Sequence, residues 1–246
     1  MSNPRMNDHT CKYPCYLNIR KTEFKHNRTN KIRMMVFDMD GVLVDIYSSW
    51  RYIHSHFNTS NHESVEKYLK GEIDDLEFIK RDLNLWKNDG KFIKFEELEK
   101  ILKEVPIMKG AEGLITFLKD KNIKTGIVSA GLDVLAQRVK ETLDIDYSIS
   151  NGFYTDETNR ITNRGKLRVK LMYKDQAIKQ ISDKSSIPLE NIASVGNSCF
   201  DIPMLQVSGL GIAFNPADEC IKKYADIIIK EKDLGKISEQ LNNFLL

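Results

Sequence analysis

The sequence predicts an α/β fold: a doubly wound parallel sheet of Rossmannoid type, with a small all-helical segment inserted after its first strand. Three observations carry that expectation. Short apolar runs alternate with stretches of helical spacing along most of the chain, the pattern of crossovers that cover both faces of a parallel sheet. The first apolar run, Arg33-Met-Met-Val-Phe37, has no polar face, which suits a central strand buried on both sides. It ends in Asp38-Met39-Asp40-Gly41, where the carboxyl end of such a strand opens onto the ligand crevice.

Residues 1–31 are polar and without periodicity, and are expected to form a loosely attached, poorly ordered tail. The core is expected over 32–45 and 106–246, and the inserted helical cap over 46–105. In the cap, Tyr47, Trp50, Ile53 and Phe57 fall at helical spacing, and that aromatic stripe is read as cap core. A second helix fits Glu63 to Lys70, stopped by Gly71. Asp74 with Glu77 resembles a capping box that opens a third helix toward Trp86. Asn88-Asp89-Gly90 breaks it, and Phe95 to Lys103 makes the fourth. His54, His56 and His62 lack a metal-site repeat and are read as surface or satisfied histidines. After Pro106 come a helix over 110–119, a strand over 123–129 and a helix over 132–143. A short strand at 147–150, a hairpin flap over 153–168 and a helix over 171–181 follow. Strands at 192–196, 210–214 and 226–229 complete the sheet.

Composition narrows the function. A formal net charge of +2 and no basic, aromatic-interleaved patch argue against a nucleic-acid partner. No run of about 18 apolar residues appears, so no membrane partner is expected. Cys11, Cys15, Cys199 and Cys220 are too few and scattered for a disulfide scaffold, and read as thiols of a cytoplasmic protein. Oligomeric state is not legible.

The strand ends hold the chemistry. Asp38 and Asp40, one residue apart, repel each other and lose hydration, which a hard divalent cation, Mg²⁺ above all, offsets. A solvated turn after a strand has the same composition, and this motif alone does not separate the two. The second strand ends in Ser129-Ala130, the fourth in Asn197 and Asp201, and Lys174 precedes the fourth on a helix. A carboxylate nucleophile, a second carboxyl, a cation, a hydroxyl and a lysine together suit phosphoryl transfer.

With these motifs in order, the chain resembles the haloacid dehalogenase superfamily of aspartate-nucleophile phosphatases, nearest in layout to its phosphoserine phosphatase branch. The marks are D-M-D-G-V-L-V-D, I-V-S-A-G, D-Y-S-I-S-N, the lysine of K-D-Q-A-I, and V-G-N-S-C-F-D-I-P-M-L before G-L-G-I-A-F, spanning about 32 to 236. The resemblance implies Asp38 as nucleophile and Asp40 as general acid and base. It implies Ser129, Ala130 and Lys174 as phosphate ligands, with Mg²⁺ held by Asp38, Asp40, Asn197 and Asp201. The implied ligand is a small phosphorylated metabolite.

Three departures qualify it. The final motif of the family usually begins Gly-Asp, and here Gly196-Asn197 stands, which removes one charge from the cation site. Tyr47 falls where the phosphoserine branch has a substrate-binding Glu. Asp82 falls at its cap Arg, with Arg81 one residue away and so about 100° around the helix. Tyr47 and Arg81 are therefore the substrate candidates. The expected function is Mg²⁺-dependent hydrolysis of a phosphomonoester through an aspartyl-phosphate, with phosphoserine as the alternative substrate. A binding protein weakened by Asn197, or phosphotransfer to an alcohol, are the other readings.

Overall fold

The structure, a computed structural model, describes residues 31–241. The tail expected over 1–31, and with it Cys11 and Cys15, lies outside the described residues apart from Lys31. A seven-stranded sheet forms the centre. Its strands are β1 (Met34–Phe37), β4 (Lys124–Leu132), β5 (Tyr147–Thr155), β6 (Ile161–Lys166), β7 (Ile192–Gly196), β8 (Leu210–Phe214) and β9 (Ile227–Ile229), in spatial order β6-β5-β4-β1-β7-β8-β9.

β1 is the pivot. It pairs in parallel with β4 (Phe37 opposite Ile127) and with β7 (Phe37 opposite Val195). The chain builds outward on one side of β1 and then crosses to the other, so the carboxyl end of β1 is a topological switch point. All four of its residues are buried, as its unbroken apolar run requires. Helices α5 (Ala111–Asp120), α6 (Asp133–Leu143), α7 (Lys174–Ser185), α8 (Ile202–Val207) and α9 (Gly235–Leu241) complete the layers. Met35 and Phe37 point into one core and Met34 and Val36 into the other, the period-2 alternation of a doubly covered strand.

Between β1 and α5 lie α1 (Ser49–His56), α2 (His62–Leu69), α3 (Asp75–Asn84) and α4 (Phe95–Lys103). The chain leaves and re-enters side by side: the Asp45 amide donates to Pro106 O, and the Met108 amide to Leu43 O, both at 2.9 Å. Asp74 caps α3 as its spacing predicts, accepting from the Glu77 amide at 2.8 Å. The all-helical expectation for this segment needs one correction. Residues 88–90 do more than stop a helix: β2 (Lys87–Asn88) and β3 (Lys91–Phe92) pair as a hairpin. Asp89 and Gly90 both have positive φ, 49° and 74°, the demand of a type I′ turn that Asp-Gly meets well.

The short strand expected at 147–150 runs on to Thr155 as one arm of the flap, whose other arm is β6. The flap braces the inserted helices. A Cβ on Gly165 would fall 2.5 Å from Ile79 Cγ2 of α3, and Arg160 donates to Phe92 O at 2.6 Å. No described helix is long and apolar enough to cross a membrane.

Candidate active site

The carboxyl ends of β1, β4 and β7 and the first turns of α1 and α7 converge on one cavity of about 190 Å³. Asp38, Asp40, Ser129, Ala130, Lys174 and Asn197 all line it. These residues come from four widely separated stretches, and the parallel register brings them together.

Asp38 is anchored where β1 ends, its amide donating to Val195 O of β7 at 2.9 Å. Its carboxylate is buried, and Oδ1 lies 2.9 Å from Lys174 Nζ. Lys174, itself buried, also reaches Asp201 Oδ1 at 2.6 Å. It is the first residue of α7, not an interior position as the predicted span 171–181 implies. One ammonium thus serves two carboxylates, and this sharing explains the uneven charge balance. Burial pushes the Asp38 carboxyl up to about 7; Lys174 pulls against that rise, while Asp201 and Asp40 add to it. For Lys174, burial works to lower the pKa, but Asp201 and Asp38 together outweigh it and hold the amine above the ordinary lysine range.

Asp40 is positioned by α1. The Ser49 amide and hydroxyl both donate to its Oδ2, at 2.8 and 2.9 Å, and Ser49 Oγ also accepts from the Leu132 amide at 3.0 Å. Burial still raises its pKa against the pull of those two bonds. Its other oxygen, Oδ1, is buried with no hydrogen-bond partner among the described residues. A raised carboxyl with one unclaimed oxygen is equipped to exchange a proton with a ligand in the cavity. Gly131 permits this packing, since a Cβ there would sit 2.7 Å from Ser49 Oγ and 2.8 Å from Asp40 Oδ2. Ser49 therefore acts as a positioning residue. Ser49→Ala is expected to move the Asp40 pKa further up and to shift the pH–rate profile with it, which steady-state rates across pH would detect.

Asp201 is turned away from the cavity. Its Oδ1 takes Lys174, and its Oδ2 accepts from the Asn197 and Ser198 amides and the Ser198 hydroxyl, at 2.8, 2.9 and 3.2 Å. It is fully buried and does not line the cavity, so its oxygens hold the loop and the lysine instead of facing a cation. Asn197 lies over Gly41, where a Cβ would fall 2.1 Å from its Nδ2; Gly41 has φ 75° and is required twice over. Asp218, which the sequence reading missed, also lines the cavity and accepts from the Cys199 amide at 2.8 Å.

The two substrate candidates part company. Tyr47 lines the cavity. Arg81 does not, and its Nε is bound to Glu77 Oε1 at 3.1 Å on the outer side of α3. Asp82 takes the cavity-facing position, with both oxygens accepting from Asn61 Nδ2 (3.1 and 3.0 Å) and Oδ2 lying 3.5 Å from His54 Nε2. Trp86 Nε1, which can only donate, meets His54 Nδ1 at 3.1 Å. Trp50 is both core and wall: it stacks on Trp86 with centroids 5.3 Å apart, donates to Ala130 O at 3.0 Å, and faces the cavity. Ser49 and Arg51, also unforeseen, had no stronger signal than two polar residues in the first turn of an amphipathic helix.

A Rossmann-like sheet with paired aspartates at its switch point, a shared buried lysine and a serine strand end is the arrangement that the motifs of a phosphoryl-transferring hydrolase lead one to expect. The family model for haloacid dehalogenase-like hydrolases matches residues 32–209. The chain belongs to that family, in its phosphoserine phosphatase-like branch. It is 32% identical over 211 residues to the phosphoserine phosphatase of Archaeoglobus fulgidus, covering 85% of this chain and 60% of that protein. It is 28% identical to the phosphoserine phosphatase of Methanocaldococcus jannaschii, covering 84% and 96% of the two chains. A solved phospho-aspartyl intermediate analogue of a phosphoserine phosphatase superposes with a TM-score of 0.72 at 26% identity, over 85% of this chain and 99% of that one. Phosphatases of this family generally use a divalent metal.

Proposed function

We propose that the chain is a Mg²⁺-dependent phosphomonoester hydrolase acting on a small phosphorylated metabolite through an aspartyl-phosphate. The observation that carries this reading is the meeting of Asp38, Asp40, Ser129 and Lys174 at one cavity. Asp38 attacks phosphorus, and Asp40 donates its proton to the leaving oxygen. Asp40, now a base, takes a proton from the water that hydrolyses the acyl phosphate. Ser129 and the Ala130 backbone bind phosphoryl oxygens, while Lys174 offsets the charge on Asp38. Residues 46–105 act as a cap that excludes bulk water. Phosphoserine is the first substrate to test, because the relatives carry that activity in their names.

The donor set fits a weakly held Mg²⁺. The Asp38 carboxylate, the Asp40 main-chain carbonyl and the Asn197 side-chain carbonyl offer hard oxygens, which leaves the Asp40 carboxyl for proton transfer. Yet the described residues contain no ready cluster of three acidic, histidine or cysteine ligands, since Asn197 is neutral and Asp201 is engaged elsewhere. When bound, the cation would neutralise charge on the phosphoryl group. Asn197→Asp is expected to tighten Mg²⁺ binding by about tenfold or more, a charge-count effect of the kind that tunes oxygen-ligand sites. Calorimetric titration of Mg²⁺ reads it, and unchanged affinity would remove Asn197 from the cation site.

Asn197 also favours a second reading, a protein that binds a phosphorylated ligand without turnover. Phosphate release from a panel of phosphomonoesters, with Mg²⁺ and with chelator, decides between them. Mg²⁺-dependent release supports the enzyme. Absence of release from every ester by the wild type, with release by Asn197→Asp, supports the weakened site.

A further inference from the structure

A second cavity, of about 520 Å³, lies between β5, β6 and the first turns of α4 and α6. Its size is that of a small-ligand site, and it shares no lining residue with the cavity at the end of β1. Three donors meet there. Ser150 of β5 is only 5% exposed, lines the cavity, and its hydroxyl has no partner among the described residues. Lys166, opposite Gly152 in the β5–β6 register, carries an ammonium with no carboxylate partner among the described residues; it rests over the Tyr154 ring, 4.7 Å from the centroid. Arg168 uses one nitrogen, Nη1, for both Ser150 O and Asp133 Oδ2, at 2.8 and 2.9 Å, while its Nη2 and Nε have no partner among the described residues. A side chain at Gly152 would collide with Asp133 Oδ2 and displace that ion pair.

Beside these donors the wall is apolar, made by Val134 and by Phe95 and Phe153, whose ring centroids are 6.2 Å apart. Asp133 is the one acidic residue among those that line the cavity, and Arg168 holds it. Glu96 and Glu141 are held by Asn159 and Gln137, at 2.7 and 2.6 Å. Two cations against one carboxylate leave the lining with a single net positive charge.

A hydroxyl unpartnered in so buried a residue is costly unless a ligand takes it. A guanidinium edge, an ammonium and that hydroxyl, next to two aromatic rings, complement an anion with an apolar body. The single net charge matches a monoanion, whereas a phosphoryl dianion would keep one charge uncompensated. We infer that this cavity is a second ligand site, which takes a small monocarboxylate with an aromatic or branched aliphatic body. The carboxylate sits on Ser150, Lys166 and Arg168, and the body lies against Phe95, Val134 and Phe153. The assignment stands apart from the phosphatase reading, because none of these residues takes part in the chemistry at Asp38.

The test uses phenylacetate and its neutral counterpart, phenylacetamide, titrated into the full chain while backbone amide chemical shifts are followed. Phenylacetate is expected to bind saturably with a Kd of about a millimolar, within reach of a ligand of its size, and to shift amides over 148–155 and 166–168. Phenylacetamide binds about tenfold more weakly, having lost the charge. Lys166→Gln and Ser150→Ala each weaken phenylacetate by about 3–10-fold, as expected for one hydrogen bond to a charged group. Lys166→Gln leaves phenylacetamide unchanged, and thermal melts check that both variants stay folded. Equal affinity for the two probes would overturn the inference, as would an affinity indifferent to both substitutions. Shifts confined to 38–40, 47–51 and 129–131 would place the probe in the other cavity and overturn it too. So would the absence of saturation up to about 20 mM.

Discussion

Asp38→Asn is expected to lower turnover by roughly 10³–10⁶-fold, the range seen when a nucleophile is removed and the rest of a site is kept. The amide nearly preserves shape and cannot attack phosphorus, so circular dichroism should match the wild type while phosphate release disappears. Trapping gives an independent readout: acid-quenched wild type retains label from a phosphorylated substrate, and the variant retains none. Label retained by the variant would move the nucleophile to another residue. The same variant isolates a pH effect on stability. In chelator, the folded Asp38 carboxyl titrates near about 7 against an ordinary value of 3.8. Between those values the folded state holds a proton that the unfolded state has lost, so wild-type stability falls as pH rises through that window and levels above it. The asparagine variant lacks this slope. Its stability relative to wild type should therefore increase from about pH 4 to about pH 7, as urea midpoints at several pH values would report. A difference that stays flat would mean that Lys174 fully compensates the buried charge.

Lys174→Met is expected to be the most damaging single change to both folding and activity. Lys174 is buried between Asp38 and Asp201, 2.9 and 2.6 Å away, and its removal leaves two carboxylates facing each other without a cation. Breaking a buried pair by deleting one partner costs about 3–5 kcal/mol. The deficit should be smaller at about pH 5 than at about pH 8. Losing the ammonium removes the pull that lowers the Asp38 pKa and raises it further, so its protonated form stabilises the folded state at low pH and that support is lost as pH rises. Urea denaturation at the two pH values measures it. Adding Asp201→Asn to Lys174→Met should restore part of the stability and none of the turnover. Restored turnover would show that Lys174 has only a structural role.

The alternation that makes β1 legible is local. Four apolar residues with no polar face, then Asp-x-Asp-Gly, specify a buried strand and its functional end within eight positions of sequence. The caps are local too: Asp74 accepts from the amide three residues on, as its position indicates. The Asp89-Gly90 turn was equally local, but two-residue strands are too short to show a period, so the hairpin was read only as a helix break. Residues whose role comes from a backbone position that the parallel register fixes were legible by motif: Asp38, Asp40, Ser129 and Lys174 all reach the cavity.

Side-chain direction was not legible. Arg81 and Asp82 are neighbours in sequence and about 100° apart on α3, and nothing local says which one turns inward. Packing against Ile79, Gly165 and the flap sets that rotation, and it buries Asp82 while sending Arg81 to Glu77. The family resemblance implies Asp201 as a cation ligand. In the fold, three donors from its own loop and one lysine from α7 saturate it first. By itself the sequence determined the sheet, the paired aspartates at its switch point and the family, because those depend on backbone periodicity and residue type over a few positions. Only the tertiary structure decided which charges are free to meet a ligand, because a charge is free only after every partner brought by distant segments has been counted.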